Sequence, residues 1–436
     1  MINRGEALRR LVLGLQWVMF HLGIIVSVPI ILGGGFELNQ EQVGALMRLT
    51  FFVTGAGSLL QSFFGHRNML IEGPAGPWWS AYLVIAGVAV SAGTPIGRVR
   101  TDIQGAMLVA GGVLFLLGVT GLLRRLRPIF TPRATGVFLL LIGMQIAVLG
   151  FRRMVTSGLP LFLVGVGVLL FSLFVLTKGR GLLQNAAILL GVIAGWTGAL
   201  VLGLTHLPDL AGLPPLAPPP LFPWGAPTFD VGTAVTLTLM GLVLIPNHIG
   251  SLRAMEAATG HTIPARLYDR GMAVTGLTGM LSGAAGGIGT IPFAISGGLV
   301  SMTGERSKEA FHIGALLFVI IAVVTPLAAI LSSIPEAIAG AILMIAMSRV
   351  AVIGITDITR EGPQRLPAFA VGLGFLTGAG IIFMPAEFWN TLPSWAASIF
   401  SNGVIVGTLI TIRLWINQFR CVGFWEDCYG AGSMPL

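Results

Sequence analysis

Charge is scarce in this sequence. Of its 436 residues only 10% are Asp, Glu, Lys or Arg, against about 25% in an ordinary soluble domain, and a water-soluble globular chain is excluded. Cysteine is scarcer still. Cys421 and Cys428 are the only two, no histidine pair completes a metal set beside them, and neither a metal nor a cofactor is expected. There is no G-x-x-x-x-G-K-[ST] loop and no soluble stretch of suitable size, so ATP-driven transport is not expected. The apolar runs hold no cluster of His, Asp and Glu, which argues against an intramembrane enzyme. The net charge of +8 is scattered over short loops without interleaved aromatics. That pattern points away from nucleic acid and toward the excess of basic residues on the cytoplasmic side of membrane proteins.

What fills the chain instead is hydrocarbon. Hydrophobic residues make up 55% of it and the mean hydropathy is +0.90. Runs such as Leu11 to Leu32 and Ala310 to Leu331 meet the roughly 20 residues needed to cross a ~30 Å hydrocarbon core. The first follows Arg4, Arg9 and Arg10 but is too long for a signal-peptide core, so it is read as the first span. The expected fold class is an all-α polytopic membrane protein with about fourteen transmembrane segments.

With a cytoplasmic amino terminus, that count puts 20 of the 25 Lys and Arg residues inside and leaves Arg48, Arg98, Arg100, Arg152 and Arg153 outside, which supports the orientation. Both termini are then cytoplasmic. Residues 206–230, HLPDLAGLPPLAPPPLFPWGAPTFD, hold too many prolines for a helix and predict an extended outside connection. They separate residues 1–205 (spans one to seven) from 231–436 (spans eight to fourteen). Seven is odd, so the second half enters from the opposite side, and two halves of one fold would be inverted repeats.

Two stretches break the apolar pattern at matching places. GHRNMLIEGPAGPWWS (65–80) and GAAGGIGTIPFAISGG (283–298) each carry glycines and proline. Glu72 lies 61 residues after Leu11, and Pro292 lies 61 after Val231. Non-helical backbone in hydrocarbon leaves unsatisfied N–H and C=O groups, so both breaks belong inside the bundle, where such interruptions mark a midplane binding site. Pro74 and Pro292 are expected to open half-helices whose N–H groups and positive dipole ends face a cavity. The bland alternative is that Gly and Pro merely kink packed helices.

The residues GHRNMLIEGPAGPWW, together with LQWVMF (15–20), RPIFTP (127–132) and SNGVIVG (401–407), resemble the purine permeases of bacteria in the nucleobase-ascorbate transporter family, the nucleobase:cation symporters. The resemblance covers nearly the whole chain. It implies two inverted seven-span repeats divided into core and gate domains, with third and tenth spans each built of a short strand and a half-helix. It also implies a nucleobase held between those spans, H+ or Na+ coupling, and a homodimer. Carried across by position, the first-span Gln-His pair is Gln16-Trp17, and the eighth-span Ala-Glu-His is Pro246-Asn247-His248. In the tenth-span signature the position of the Gln, Glu or Pro is Ile295, followed by Gly298, Thr303 and Gly304. Two polar positions that grip a base in relatives are therefore altered.

The expected substrate-binding residues are Gly76, Asn247, Phe293, Ala294 and Ile295. Asn247 offers a donor and an acceptor to the amide-like edge of a base. Phe293 and Ala294 sit where the family presents an aromatic ring and backbone. Glu72, a carboxylate within a broken segment, would carry a coupling proton or accept from a substrate N–H. Alternatively it pairs locally with Arg67 and His66. Trp78 and Trp79 could stack a base but serve as well in packing, while His21 and His248 read as core residues. Glu336, Asp357 and Glu387 are assigned no chemistry. The expected function is a secondary active permease for a nucleobase, a purine by preference, in the cell membrane. An anion transporter of the same fold is the nearest rival, and a non-transporting sensor the more distant one.

Overall fold

A computed structural model describes residues 4–126, 131–360 and 365–414. Cys421, Cys428 and the RPIF part of RPIFTP lie outside the described residues.

The chain is mostly helical. Before the proline-rich connection come α1 (Arg4–Gly35), α2 (Gln40–Phe63), strand β1 (Glu72–Pro74), α3 (Gly76–Ser91), α4 (Ile96–Val119), the short α5 (Leu123–Leu126), α6 (Pro132–Thr156), α7 (Leu159–Lys178), the short α8 (Leu182–Asn185) and α9 (Ala187–Val201). After it come α10 (Val231–Val243), α11 (Ile245–Thr259), α12 (Ala265–Ala284), strand β2 (Thr290–Pro292), α13 (Ile295–Thr303), α14 (Lys308–Val323), α15 (Thr325–Ser332), α16 (Glu336–Thr359), α17 (Arg365–Ile382), α18 (Ser394–Phe400) and α19 (Gly403–Leu414). Among the described residues seven spans are long and apolar enough to cross a membrane, and four further apolar helices are shorter. α7 exposes Leu163, Leu170 and Phe174, the composition a lipid-facing helix needs.

Several helices begin where local chemistry predicts. Asn39 and Gln42 form a reciprocal capping box at α2, with bonds of 2.9 and 3.0 Å, and Thr131, Asp230 and Ser307 cap α6, α10 and α14. The run Ala310 to Leu331, expected as one span, divides at Val324 into α14 and α15. Pro326 has no N–H to continue the ladder, and Val324 instead bridges to Leu216 of the connection. Residues 206–230 carry no helix, as expected, and they are pinned down. Arg48 reaches the carbonyls of Ala217 and Pro218, Thr228 donates to Asp102 at 2.6 Å, and Trp224 donates to the Gly286 carbonyl at 2.8 Å.

Two sets of helices pack mainly among themselves. α1, α2, α4 and α10–α14 surround the paired strands, and α6 and α7 pack with α16, with α17 on α6. The closest seams run through glycine. A Cβ on Gly150 would stand 2.7 Å from the Gly340 carbonyl oxygen where α6 crosses α16, and one on Gly111 would stand 2.6 Å from the Met280 nitrogen where α4 crosses α12. In lipid such close backbone approach replaces the hydrophobic drive. A Cβ on Gly276, facing Gly111, collides with backbone at Phe115. Gly276→Val should therefore cost about 2 kcal/mol or more. Thermal unfolding of the detergent-solubilised protein checks this, and an unchanged midpoint would show that the seam is looser than described.

Candidate functional site

The two interrupted segments meet. β1 and β2 pair antiparallel with Glu72 opposite Pro292, Gly73 opposite Ile291 and Pro74 opposite Thr290. Ala75 N–H donates to the Gly289 carbonyl and Phe293 N–H to the Ile71 carbonyl, both at 2.9 Å, which extends the pairing at each end. The ladder thus satisfies backbone that would otherwise be stranded in hydrocarbon. Pro74 and Pro292 lie in the strands and do not open helices. Their missing N–H groups are tolerated there because each terminates its short strand. At α3 it is Pro77 that occupies the first turn, where a missing N–H costs nothing. Neither Ala75 before α3 nor Ala294 before α13 supplies a side-chain cap; within the first turns Trp78 N–H donates to the Ala75 carbonyl, Ser296 N–H to that of Phe293 and Gly297 N–H to that of Ala294, so both starts are closed in part by their own backbone.

Gly76, Phe293, Ala294 and Ile295 border this junction and are half-buried, as is Asn247 on α11. The Ser251 hydroxyl, one turn after Asn247, lies 2.7 Å from the Pro292 carbonyl and 3.3 Å from Asn247 Oδ1. With one proton to give, it serves the nearer carbonyl and holds Asn247 loosely. α11 is thereby tied to β2, with the Asn247 amide beside the strand end.

The Phe293 ring lies directly over Gly73, whose absent side chain leaves room for it. It stacks on His21, with centroids 6.2 Å apart and planes 16° from parallel, and His21 stacks in turn on Trp17 at 5.8 Å. His21 is fully buried, as a core histidine should be, yet it belongs to the site wall. Its Nδ1 lies 2.9 Å from the Trp17 carbonyl, which can only accept. The ring proton is therefore on Nδ1, and Nε2 accepts from the Ser296 hydroxyl at 3.0 Å. Ser296 Oγ accepts from Ile71 N–H at 3.1 Å. Ser296 thus joins α1, α13 and the approach to β1, a role that sequence reasoning missed although Ser296 falls within the tenth-span signature.

Glu72 is fully buried and turns away from Gly73, toward α2 and α12. Gln61 Nε2 donates to its Oε1 at 2.9 Å, the Thr275 hydroxyl lies 3.5 Å away, and Glu72 N–H donates to Ser58 Oγ at 2.9 Å. The local pairing with Arg67 and His66 does not form, since Arg67 is exposed and His66 Nδ1 accepts from Asn68 N–H. Trp78 and Trp79 are each 1% exposed and pack within the core, Trp78 against Gly241 and Gly289. His248 Nε2 donates to the Tyr268 carbonyl on α12 at 3.1 Å, an interhelical bond. Glu336 pairs with Arg153 at 3.1 Å across α6 and α16. Among the described residues no cluster of His, Cys, Asp or Glu could hold a metal ion.

Comparison with known proteins decides the family. Residues 8–387 match the Xan_ur_permease model of the Permease family. The chain belongs to this family. It is a multi-pass membrane protein of a transporter family and not an enzyme. It is similar to the "Putative purine permease YwdJ" of Bacillus subtilis (strain 168), with 30% identity over 94% of this chain and 96% of that one. To the uric acid permease PucK of the same organism it is 26% identical, over 95% of this chain and 96% of that one. Its fold is shared with the murine anion transporter Slc26a9 in the inward-facing state, at a TM-score of 0.65 and 13% identity, over 96% of this chain and 70% of that one.

Proposed function

We propose that the protein is a secondary active permease that carries a nucleobase, a purine by preference, across the cell membrane by alternating access. The observation that carries this reading is the β1–β2 junction. In a chain of the Permease family, two half-helices without side-chain caps start at one place, beside a half-exposed amide and an aromatic ring. Gly76, Phe293, Ala294 and Ile295 supply backbone and a stacking face, and Asn247 supplies a donor and an acceptor for the edge of the base.

The fourteen-crossing arrangement of two inverted repeats, 1–205 and 231–436 about the 206–230 connection, belongs to the same proposal. The order of elements supports it, because strand and half-helix recur third in each half. So do the ion pairs, which join residues assigned to one side: Arg124 with Asp269 inside and Arg153 with Glu336 outside. On this reading both termini are cytoplasmic, the helices around the strands form the core, and α6, α7 and α16 belong to the gate that it moves against. Proton coupling through Glu72 is the coupling mode that the carboxylate supports, Na+ being the other mode found among relatives, and a homodimer is the expected assembly.

Uptake of radiolabelled purines into proteoliposomes tests the reading. Purines should compete and inorganic anions should not. Asn247→Ala should weaken purine affinity by about 10- to 100-fold, about 1.4–2.7 kcal/mol in all for the hydrogen bonds to the base that it removes. The shared fold with an anion transporter favours a second reading, transport of sulfate, bicarbonate or a carboxylate. Competition only by those anions would establish it in place of the first.

A further inference from the structure

Gln145 is the one polar side chain in VFLLLIGMQIAVL, residues 137–149 of α6. It is 3% exposed, and neither the oxygen nor the nitrogen of its amide has a hydrogen-bond partner among the described residues. No other buried amide described there leaves both atoms open. Leucine, of similar size, would fill the place without stranding a polar group. An amide kept at this depth therefore points to a partner from outside the chain's own packing.

The phase of α6 sets the direction of that side chain. Gly136, Gly143 and Gly150 form the seam with α16, where added Cβ atoms would stand 2.6, 3.5 and 2.7 Å from the carbonyl oxygens of Gly354, Met347 and Gly340. At about 100° per residue, Gln145 lies about 200° round from Gly143, nearly opposite that seam. Leu141, one turn earlier on the same face, packs on Gly378 of α17 and Gly407 of α19. Ile146, the next residue, abuts the first residue of α3: a Cβ on Gly76 would stand 2.7 Å from its Cδ1. Gln145 thus lies between α19 and the start of α3, on the gate side of the junction. On the topology proposed above α19 runs antiparallel to α6, which brings Asn402, just ahead of α19, level with Gln145. Asn402 Oδ1 accepts from Ile405 N–H at 3.2 Å, while its Nδ2 has no partner among the described residues.

We propose that Gln145 is the gate's own contact with the substrate, pairing its amide with an edge of the base that carries an N–H beside a carbonyl. This rests on the nucleobase reading. A primary amide offers a donor and an acceptor side by side, and such an edge meets it with two parallel hydrogen bonds. Asn247 stands on the core side of the same junction. The base is then gripped from both layers, and the bonds to Gln145 form as gate and core close on it.

The test is Gln145→Leu in the full-length protein, read by two measurements that a packing role and a binding role move differently. The first is competition by hypoxanthine, guanine and uric acid, each with an N–H beside a carbonyl, for uptake of radiolabelled purine into proteoliposomes. The second is thermal unfolding in detergent without purine. Apparent affinity should fall at least tenfold for the purines that wild type accepts, while the thermal midpoint stays level or rises, because no polar group is stranded any longer. Unchanged affinity would overturn the proposal. So would a lowered midpoint, with or without loss of affinity, since the amide would then be bridging to Asn402 and holding α6 to α19. Either result leaves the nucleobase reading standing. A wild type that answers to inorganic anions and to none of the three purines would end both.

Discussion

Replacing Gly73 by alanine is expected to cut uptake more than tenfold, although it adds a single methyl group. The new Cβ would overlap the far edge of the Phe293 ring, at Cζ and Cε2. Neither side can yield cheaply. Gly73 is fixed by the ladder opposite Ile291, and Phe293 is held by its stack on His21. Overpacking of this kind costs about 1–3 kcal/mol, and here the strain is released by expelling the one aromatic ring at the start of α13. The expected result is loss of transport by more than tenfold with protein that still reaches the membrane. Phe293→Ala alone should weaken binding, and the double variant should be no worse than Phe293→Ala. If Gly73→Ala transports normally, the ring does not lie where it is described.

The second large effect concerns Glu72, and it separates folding from coupling. Gln61 Nε2 has two hydrogens and three acceptors: Glu72, Gly271 and Thr275. Removing the carboxylate therefore leaves the Gln61 amide satisfied. The cost of Glu72→Ala comes from the vacated volume and the Thr275 hydroxyl, about 2–3 kcal/mol together. Glu72→Gln keeps the volume and the acceptor facing Gln61 but cannot titrate. It should fold with a near-native thermal midpoint and bind substrate, while its uptake no longer responds to an imposed pH gradient. Proton-driven accumulation that persists in Glu72→Gln would assign the proton to another group.

Which features were legible in the sequence follows from what leaves a local signal. Glycine and proline inside apolar runs are local, and the two breaks that they mark are the paired strands. The proline-rich connection was legible for the same reason. The assignment of proline to a helix start was not, because Pro74, Pro77 and Pro292 look alike until the register of the ladder is known; only Pro77 opens a helix. Span lengths were less legible: Ala310 to Leu331 reads as one run because a break that is satisfied by a distant Leu216 carries no hydrophobic signature.

The site divided in the same way. Gly76, Phe293, Ala294 and Ile295 lie along the broken segments, Phe293, Ala294 and Ile295 having been named from the family resemblance, and the structure places all four at the junction; their contact with a substrate is the proposal made above. His21 and Ser296 lie 275 positions apart in the chain, and no pattern in either neighbourhood predicts that one would orient the other. The partners of Glu72 were misjudged for a related reason. Arg67 is near it in sequence, yet the strand face turns the carboxylate toward α2 and α12 and leaves Arg67 exposed.

The central claim is that the junction of the two half-helices borders a hydrated chamber that the substrate fills. Its most direct test is the reactivity of Ala294→Cys toward a water-soluble maleimide, in full-length protein with Cys421 and Cys428 changed to serine. The account predicts labelling that added purine suppresses, while Leu170→Cys on the outer face of α7 stays unlabelled inside the detergent belt. A thiol at position 294 that does not react, or that reacts equally with and without purine, would contradict it.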